Sequence, residues 1–328
     1  MTGSIRLLLT GGTGFFGRAL LRHLQEQAGA GSASMEVVVL SRAPSEFLGR
    51  FAEFRGQEWL HFHQGDVLQP ETLPRGMKFT HVLHAAADST LGHGLARMER
   101  YEQIVDGTRH LLDYAATNNI PRFLLASSGG VYGPQPPDML RIHEEYNQMP
   151  DPLDPANVYS VAKRCAEHLC ALYRDKYGME TVIARCFAFV GRDLPLDAHF
   201  AVGNFIRDAV RSEAIQVQGD GAPIRSYMDQ RDLAEWLLVL LARGKAGHAY
   251  NVGSDQEISI RDLAHLVRDL LAPAKAVKIA GSQKDGNFRN RYVPSIDKAA
   301  QGLSLRLNYT LPESLMAAAD HARGGHCA

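Results

Sequence analysis

Residues 5–17 of the chain read Ile-Arg-Leu-Leu-Leu-Thr-Gly-Gly-Thr-Gly-Phe-Phe-Gly, and this stretch determines the predicted fold. Its apolar start, residues 5–9, predicts a short buried strand. Glycines follow, and then Phe16, Leu20 and Leu24 recur at helical spacing. A strand, a glycine-rich turn and a helix in this order are the context that a dinucleotide-binding site requires. The alternative is a glycine-rich turn in some other α/β protein.

Each glycine of this turn has a distinct predicted role. Gly11 or Gly12 permits the tight turn, Gly14 lets the backbone approach a pyrophosphate, and Gly17 lets the helix pack against the strand. The first turn of the helix then offers free N–H groups and the positive end of the helix dipole to the phosphates.

Composition restricts the class of protein. The 328 residues suffice for one large α/β domain or for one with a smaller lobe. A formal net charge of −1 gives no basic surface field for nucleic acid or membranes. No apolar run approaches the roughly 18 residues that span a bilayer. The N-terminal residues do not resemble a signal peptide, so we expect a cytoplasmic protein.

Cysteine and histidine spacing predicts no metal site. The four cysteines, Cys165, Cys170, Cys186 and Cys327, fit neither a zinc-binding pair nor a redox-active Cys-x-x-Cys motif. The fourteen histidines are scattered along the chain without the spacing of metal ligands.

Strands and helices alternate along the first 186 residues, which predicts a doubly wound parallel α/β sheet of the Rossmann type. Strands are expected at residues 5–9, 36–40, 59–64, 80–84, 123–126, 182–185 and 249–252. Helices are expected from the glycine-rich turn to about residue 26 and at residues 45–54, 95–118, 158–177 and 204–210, with a flexible loop at 28–34.

The pattern becomes less regular after Cys186, which predicts a discontinuous second lobe. The dinucleotide-binding domain is expected to comprise residues 1–186 and about 229–256. The smaller C-terminal substrate lobe is expected to comprise about 187–228 and 257–328. This lobe would close over the carboxyl ends of the strands, where open α/β sheets bind ligands.

The residues after the second strand bear on the choice of dinucleotide. A site selective for NAD usually places Asp or Glu there to hold the ribose 2′-hydroxyl. Here the residues are Ser41 and Arg42, and a guanidinium binds a 2′-phosphate well. NADP(H) is therefore favoured and NAD(H) is the alternative, in which Arg42 is a solvated loop residue.

Three residues suggest hydride-transfer chemistry. Tyr159 and Lys163 lie four residues apart on a predicted helix and so share a face, and Ser128 ends the fifth strand. A lysine charge about 5 Å from the phenol is worth roughly 3 kcal/mol, which would lower the pKa of Tyr159 towards neutrality. Ser128 would orient a carbonyl or hydroxyl of the substrate. The alternative for Tyr159 and Lys163 is a surface pair.

These motifs resemble an extended short-chain dehydrogenase/reductase of the NAD-dependent epimerase/dehydratase group, which acts on nucleotide sugars. The resemblance is carried by Thr10–Gly17, Gly65-Asp66-Val67, His84-Ala85-Ala86, Gly107-Thr108, Ser127–Gly133, Tyr159–Lys163, Arg185-Cys186-Phe187, Gly219-Asp220-Gly221, Arg225 and Tyr250–Gly253.

The resemblance implies roles for particular residues. Ser128, Tyr159 and Lys163 would be catalytic, and Asn204 and Arg225 would bind the nucleotide pyrophosphate. A homodimer through the helices at 95–118 and 158–177 is also implied. The predicted cofactor site comprises Gly11, Thr13, Gly14, Phe15, Phe16, Gly17, Ser41, Arg42, Asp66, Val67, Ala85, Ala86, Ala87, Ser127, Tyr159, Lys163 and Cys186.

Departures from the family pattern restrict the reaction. The 4,6-dehydratases of the family carry Asp-Glu directly after the catalytic hydroxyl residue, for elimination of water, whereas this chain has Gly129 and Gly130. Ile104 and Ala188 replace two usual asparagines, and residues 229–232 replace the usual Tyr-Val-Asp-Asp. Residues 194–205, 226–228 and 234–236 are instead similar to 4-keto-6-deoxyhexose reductases.

The sequence thus predicts an NADPH-dependent reductase of a nucleotide-linked 4-keto-6-deoxyhexose, with Tyr159 as proton donor. Two alternatives remain at this point. One is a nucleotide-sugar epimerase that retains NAD and uses the same residues, and the other is a non-catalytic protein that senses a dinucleotide.

Overall fold

A computed structural model describes residues 5–29, 35–87, 95–281 and 291–324. Its strands are β1 (Ile5–Thr10), β2 (Met35–Ser41), β3 (Leu60–Gln64), β4 (His81–His84), β5 (Arg122–Ser128), β6 (Glu180–Cys186), β7 (Phe189–Val190), β8 (Ala214–Val217), β9 (Ile224–Ser226), β10 (Met228–Asp229), β11 (Ala249–Val252), β12 (Glu257–Ser259), β13 (Ala276–Ile279) and β14 (Arg291–Tyr292). Its α-helices are α1 (Phe15–Gly29), α2 (Pro44–Arg50), α3 (Arg97–Thr117), α4 (Val158–Tyr177), α5 (Ala201–Arg211), α6 (Gln230–Arg243), α7 (Ile260–Leu271), α8 (Asp297–Leu303) and α9 (Leu311–Gly324).

The main sheet has seven strands in the order β11-β6-β5-β4-β1-β2-β3, and every pairing within it is parallel. This confirms the predicted doubly wound sheet, including the return of β11 to its edge. The strand order reverses direction at β1, which lies between β2 and β4. Ligands of such sheets bind in the crevice at this reversal, beyond the carboxyl ends of the strands.

Helices cover both faces of the sheet because the central strands are apolar on both sides. On one face, α1 packs against α6, and Leu20, Leu24 and Trp236 are buried there. On the other face, α3 packs against α4 and buries Leu111 and Ala166. In the part of the chain that the structure describes, no helix is both long and apolar enough to cross a membrane.

A smaller region is built from the segments after β6. It contains the short sheets β10-β7, β12-β9-β14 and β13-β8. The helices α5, α7 and α9 pack around a separate core that includes Phe205, Leu263 and Leu315. These elements fall in or close to the segments expected for the substrate lobe, and the exact division into two domains stays a prediction.

Three helices, α1, α2 and α5, differ most from the sequence-based expectations, whereas the boundaries of the expected strands shift by at most two residues. The helix expected at 45–54 is instead α2 followed by a 3₁₀ turn at Ala52–Phe54. The break at Phe51 allows Phe54 to turn inward and stack on Phe47, with ring centroids 5.6 Å apart. Helix α1 extends to Gly29, and α5 begins three residues earlier than expected. Most of the loop expected at 28–34 lies outside the described residues.

Candidate active site

The glycine-rich turn between β1 and α1 has no room for side chains at Gly11, Gly12 and Gly17, where a β-carbon would lie less than 3.0 Å from a neighbouring atom. Gly11 has a φ of +75°, and a β-carbon there would lie 2.5 Å from the carbonyl carbon of Ala85 at the end of β4. A β-carbon on Gly17 would lie 2.2 Å from the Cα of Gly12. The roles predicted for Gly11 and Gly17, a tight turn and close helix packing, thus have a physical basis in the structure.

Gly14 is exposed above the first turn of α1. A β-carbon there would be in ordinary van der Waals contact with the carbonyl oxygen of Gly11, 3.4 Å away, and would meet no closer atom. The first turn of α1 carries no acidic residue. Its backbone N–H groups have no acceptor within the helix, and they favour an anion. The residues present therefore fit the pyrophosphate of a dinucleotide.

A buried hydrogen-bond chain holds the ends of β1 and β4 in position. Thr10 Oγ1 lies 2.7 Å from His84 Nδ1, and His84 Nε2 lies 3.1 Å from Thr108 Oγ1 on α3. Burial lowers the pKa of His84 to about 3, so its ring is neutral. The backbone N–H of Ala86 donates to Thr10 Oγ1 at 3.3 Å. Sequence reasoning missed this role of His84. The available signal was that Thr10 and His84 are polar residues at the ends of the apolar strands β1 and β4.

The residues predicted for the adenosine half lie at the carboxyl ends of β2 and β3. Ser41 is buried, and its hydroxyl accepts a hydrogen bond from the N–H of Ala43 at 3.3 Å. Arg42 is exposed, and its guanidinium makes no hydrogen bond or ion pair with any residue that the structure describes. Asp66 accepts a bond from the N–H of Leu68 at 2.9 Å.

The remaining predicted cofactor residues lie along the same edge. Val67 is buried next to α3, where it would contact a β-carbon on Gly107 at 2.9 Å. Ala85, Ala86 and Ala87 follow β4 without side chains that would fill the crevice. Cys186 ends β6 and is buried, which raises the pKa of its thiol to about 12. The binding roles of all these residues stay predictions.

The structure brings Ser128, Tyr159 and Lys163 together. Ser128 is the last residue of β5, and its hydroxyl accepts a hydrogen bond from the N–H of Gly130 at 3.0 Å. Tyr159 lies in the first turn of α4, and its phenol is close enough to the Ser128 hydroxyl for Ser128 to lower the pKa of Tyr159, although burial outweighs this effect. Lys163 lies one helical turn further on, and its Nζ donates to the carbonyl of Ala126 at 2.7 Å. The three side chains meet at the carboxyl edge of the sheet, and their catalytic roles stay predictions.

The expected lowering of the Tyr159 pKa is wrong. Burial of the phenol raises the pKa of Tyr159 above its usual range. Lys163 does not compensate, because its ammonium group points to the carbonyl of Ala126 and lies 6.0 Å from the centroid of the Tyr159 ring. Burial also lowers the pKa of Lys163 to about 8. Tyr159 is therefore a protonated phenol at neutral pH, which suits a proton donor.

A buried ion pair lies below these three residues. Glu167 lies four residues after Lys163 on α4, and its carboxylate accepts bonds from Arg185 Nη2 at 2.7 Å and from the Ser127 hydroxyl at 2.6 Å. Ser127, predicted to bind the cofactor, thus donates its hydroxyl hydrogen to Glu167. Sequence reasoning missed Glu167. The available signal was its spacing of four residues from Lys163, which puts the two charged side chains on the same helical face.

Gly129 and Gly130 are closely packed. A β-carbon on Gly129 would lie 2.6 Å from the hydroxyl of Tyr292 and 2.7 Å from the ring of Phe187. A β-carbon on Gly130 would lie 2.5 Å from the hydroxyl of Ser160. Side chains at these two positions require their neighbours to move. Carboxylate side chains at positions 129 and 130 would therefore clash with their neighbours in this structure.

The two residues predicted to bind pyrophosphate belong to the smaller region. Asn204 lies on α5, and its Oδ1 accepts a bond from Arg207 Nη1 at 3.1 Å. Arg225 lies on β9, where its Nη1 donates to the carbonyl of Ile224 at 2.8 Å. Their roles stay predictions. Among the residues that the structure describes, no three His, Cys, Asp or Glu side chains form a group able to hold a metal ion.

Comparison with known proteins gives consistent similarities. A family model described as the NAD dependent epimerase/dehydratase family matches residues 7–253. UDP-glucuronic acid decarboxylase 3 of Arabidopsis thaliana is 28% identical over 319 residues, which cover 95% of this chain and 87% of that protein.

Two solved structures show the same fold over nearly the whole chain. The dTDP-glucose 4,6-dehydratase DesIV of Streptomyces venezuelae, solved with NAD bound, is 25% identical with a TM-score of 0.84, and the match covers 98% of each chain. RMD of Pseudomonas aeruginosa, solved with NADPH, is 26% identical with a TM-score of 0.78, and the match covers 98% of this chain and 99% of that one.

Proposed function

Because the chain belongs to the NAD dependent epimerase/dehydratase family, we propose that it is an NADPH-dependent reductase of a nucleotide-linked 4-keto-6-deoxyhexose. One observation carries the choice of reaction within this family of nucleotide-sugar enzymes. Ser128, Tyr159 and Lys163 are together at the sheet edge, while the next two residues are the closely packed Gly129 and Gly130. Hydride transfer needs the first three residues, and elimination of water needs carboxylates that positions 129 and 130 do not provide.

A bound nicotinamide dinucleotide would supply the hydride that reduces the ketone carbon. Tyr159 donates its proton to the oxygen of that ketone as the C–O double bond becomes a single bond. Ser128, which lies near the phenol at the end of β5, holds the same oxygen and stabilises its developing negative charge. Lys163, whose ammonium group donates to the carbonyl of Ala126, would hold the ribose of the nicotinamide.

Two observations support NADPH over NADH. Arg42 is an exposed guanidinium at the carboxyl end of β2, where the ribose 2′-position of a dinucleotide is expected. RMD, with 26% identity over nearly the whole chain, was solved with NADPH. Other proteins similar to this chain were solved with NAD, so cofactor choice must be measured directly.

The second candidate is a nucleotide-sugar epimerase that retains NAD. It needs the same Ser128, Tyr159 and Lys163, and hydride returns to the opposite face of the sugar with no net redox change. The relatives also include decarboxylases and dehydratases by name, so those two reactions belong among the assayed outcomes.

The test begins with the dinucleotide that the purified protein carries. The protein is denatured and the released dinucleotide identified, and the emptied protein is then titrated with NADPH and NADH. An empty site that binds NADPH at least about tenfold better, a difference of about 1.4 kcal/mol, supports the reductase. Tightly retained NAD with no preference for NADPH supports the epimerase.

Turnover completes the test. NADPH oxidation is followed at 340 nm with dTDP-, GDP- and UDP-linked 4-keto-6-deoxyhexoses, and products are compared with those from UDP-glucuronate and from unmodified nucleotide hexoses. Tyr159→Phe should abolish reduction, because the ring remains but the proton donor is lost. Tyr173→Phe, which removes a half-buried phenol that donates to Asp113 from a later turn of the same helix, is the matched control. Unchanged turnover in Tyr159→Phe would contradict the catalytic role and favour the non-catalytic alternative.

We also propose a homodimer through α3 and α4. The two helices pack against each other, and their outer surface exposes Met98, Leu172 and Tyr177. Met98 lies near the start of α3, whereas Leu172 and Tyr177 lie near the end of α4, so the proposed interface would run along the length of both helices.

A further inference from the structure

A buried carboxylate, that of Asp193, lies where the smaller region meets the first turns of α1. Asp193 belongs to the segment between β7 and α5, and its side chain is 1% exposed. Its Oδ1 atom accepts hydrogen bonds from Arg18 Nε at 3.0 Å and from Arg22 Nη2 at 3.2 Å, and both arginines lie on α1. Although burial alone would raise the pKa of Asp193, the bonds and charges of the two arginines hold that pKa below its ordinary value. The carboxylate is therefore charged at neutral pH and links two distant parts of the chain.

Asp193 is also held by Gln230, the first residue of α6. The Nε2 atom of Gln230 donates to Asp193 Oδ2 at 3.0 Å, and its Oε1 atom accepts the backbone N–H of Asp193 at 2.9 Å. Gly191 leaves space for this contact, since a β-carbon there would collide with the Gln230 side chain. Because both its side chain and its backbone are bonded, Asp193 has one defined position relative to α1 and α6.

Arg18 joins Asp193 to the glycine-rich turn. Arg18 follows Gly17 directly, and its Nη1 atom donates to the carbonyl of Thr13 at 3.2 Å. Its Nη2 atom donates to the backbone carbonyl of Asp193 at 2.9 Å, and its guanidinium lies 5.0 Å from the centroid of the Phe51 ring. One guanidinium therefore contacts both the turn that is expected to hold the dinucleotide pyrophosphate and the backbone of the smaller region.

A short, closely packed path leads from Asp193 to the predicted substrate residue Asn204. Residues 191–194 form a hydrogen-bonded turn. The next residue, Pro195, packs against α5, and a β-carbon on Gly203 would lie 2.9 Å from its carbonyl oxygen. Asn204 follows Gly203 in the first turn of α5. A displacement of Asp193 is therefore transmitted to Asn204.

We propose that Arg18 and Asp193 are positioning residues that couple the dinucleotide site to the nucleotide-sugar site. A dinucleotide on the glycine-rich turn holds Arg18 in the orientation that anchors Asp193, and this places Asn204 for the nucleoside diphosphate of the substrate. The coupling is reciprocal, because two ligands that favour the same arrangement raise each other's affinity by the same factor. This inference rests on the proposed function, since it takes a dinucleotide and a nucleotide-linked hexose as the two ligands.

The experiment measures the affinity for one ligand in the presence and in the absence of the other. NADPH and NADH are titrated by fluorescence into the protein alone and into the protein with saturating UDP, dTDP or GDP. The coupling factor is the ratio of the two dissociation constants for the dinucleotide. For the preferred pair of ligands, the wild-type protein should show a factor of about five or more. In Arg18→Met the factor should fall below about two, because the link between the turn and Asp193 is lost.

Arg22→Met is the matched control. Arg22 lies one helical turn further along α1, where it pairs with Asp193 and with Glu53. This variant removes one ion pair of Asp193, as Arg18→Met does, but it keeps the bond from Arg18 to Thr13. A purely structural role would lower the coupling factor equally in both variants, whereas the proposal predicts a loss in Arg18→Met alone.

A second variant at the same position covers the case in which Arg18→Met does not fold. Arg18→Lys keeps the positive charge but lacks the planar fork of donors that bonds Thr13 and Asp193 together. It should therefore also bring the coupling factor below about two. Circular dichroism and melting temperature establish that each variant is folded.

The outcomes separate this inference from the proposed function. If the wild-type protein binds both ligands without coupling, the inference is refuted and the reductase proposal is unaffected. Equal coupling factors in the Arg18 variants and in Arg22→Met also refute the inference. If coupling is lost in the Arg18 variants alone but no 4-ketoreduction is seen, the inference is supported and the reductase proposal fails. If the wild-type protein binds no dinucleotide, or none of the three nucleoside diphosphates, both are refuted.

Discussion

Replacing Lys163 by methionine is predicted to stabilise the protein at pH 7 while abolishing its activity. Lys163 is 3% exposed, and burial lowers the pKa of its ammonium group from the ordinary 10.5 to about 8. At pH 7 the group is protonated in the folded protein, which therefore bears the cost of a buried cation. Methionine occupies a similar unbranched volume without a charge.

The magnitude follows from the two pKa values. They differ by about 2.5, and each pKa unit corresponds to about 1.4 kcal/mol, so the buried cation lowers the free energy of unfolding by about 3 kcal/mol at pH 7. Methionine also removes the 2.7 Å hydrogen bond from Lys163 to the carbonyl of Ala126, which offsets about 1 kcal/mol. A net gain of about 2 kcal/mol is expected.

The gain should depend on pH in a defined direction. Because the pKa of Lys163 is lower in the folded state than in the unfolded state, the penalty is fully present below about pH 8. It fades as the pH rises towards 10.5, where the unfolded chain also loses the proton. The advantage of Lys163→Met should therefore shrink by about 2 kcal/mol between pH 7 and pH 9.5.

Urea denaturation followed by circular dichroism, at both pH values and without added dinucleotide, measures this difference. Lys176→Met removes an exposed lysine from the same helix and should change the free energy of unfolding by less than about 0.5 kcal/mol. A Lys163→Met variant that is no more stable than wild type at pH 7 would refute the argument. So would a gain of equal size at both pH values, since the effect would then come from apolar packing and not from the charge.

Three other variants test the cofactor site and the assembly. Arg42→Ala should weaken NADPH binding by about tenfold to a hundredfold in a fluorescence titration, because the 2′-phosphate loses the guanidinium that binds it. NADH has no 2′-phosphate, so its binding should not change, and Arg50→Ala on α2 is the control. Equal losses of affinity for both dinucleotides would contradict this prediction. Gly17→Ala should lower the free energy of unfolding in urea by about 1–3 kcal/mol or more, because its β-carbon would lie 2.2 Å from the backbone of Gly12. Gly14→Ala should leave the free energy of unfolding nearly unchanged and weaken dinucleotide binding in the titration. A larger loss of stability in Gly14→Ala than in Gly17→Ala would refute the assignment. Leu172→Glu, at a side chain 48% exposed on α4, should shift the protein from dimer to monomer in light scattering, and a wild-type monomer would overturn the proposed interface.

The sequence predicted the elements whose signals are local. β1, the glycine-rich turn and α1 were recognisable because a β-branched or leucine-rich strand, positive φ at glycine and helical periodicity each act over a few residues. Helix α4 and strand β11 begin and end where the sequence placed them, at residues 158–177 and 249–252. Tyr159 and Lys163 were identifiable as a pair because a spacing of four puts both on one helical face.

Other features depended on contacts that no local pattern encodes. The lowered pKa expected for Tyr159 was wrong because burial raises the pKa of the phenol and because the Lys163 ammonium group points to the carbonyl of Ala126 on β5. The pairing of Glu167 with Arg185 likewise joins a helix to the strand that follows it, and spacing alone does not specify which cation a helical carboxylate meets.

The sequence by itself determined the family, the parallel sheet and the identity of the catalytic candidates, since backbone sterics, periodicity and motif spacing act along the chain. Only the tertiary structure decided which charges are buried, how they ionise and which distant groups share the crevice. The Tyr292 hydroxyl reaches the space beside Ser128 because β14 pairs with β9 and because Gly129 has no side chain. Desolvation and packing depend on every neighbour in three dimensions, so neither is readable from residues considered one segment at a time.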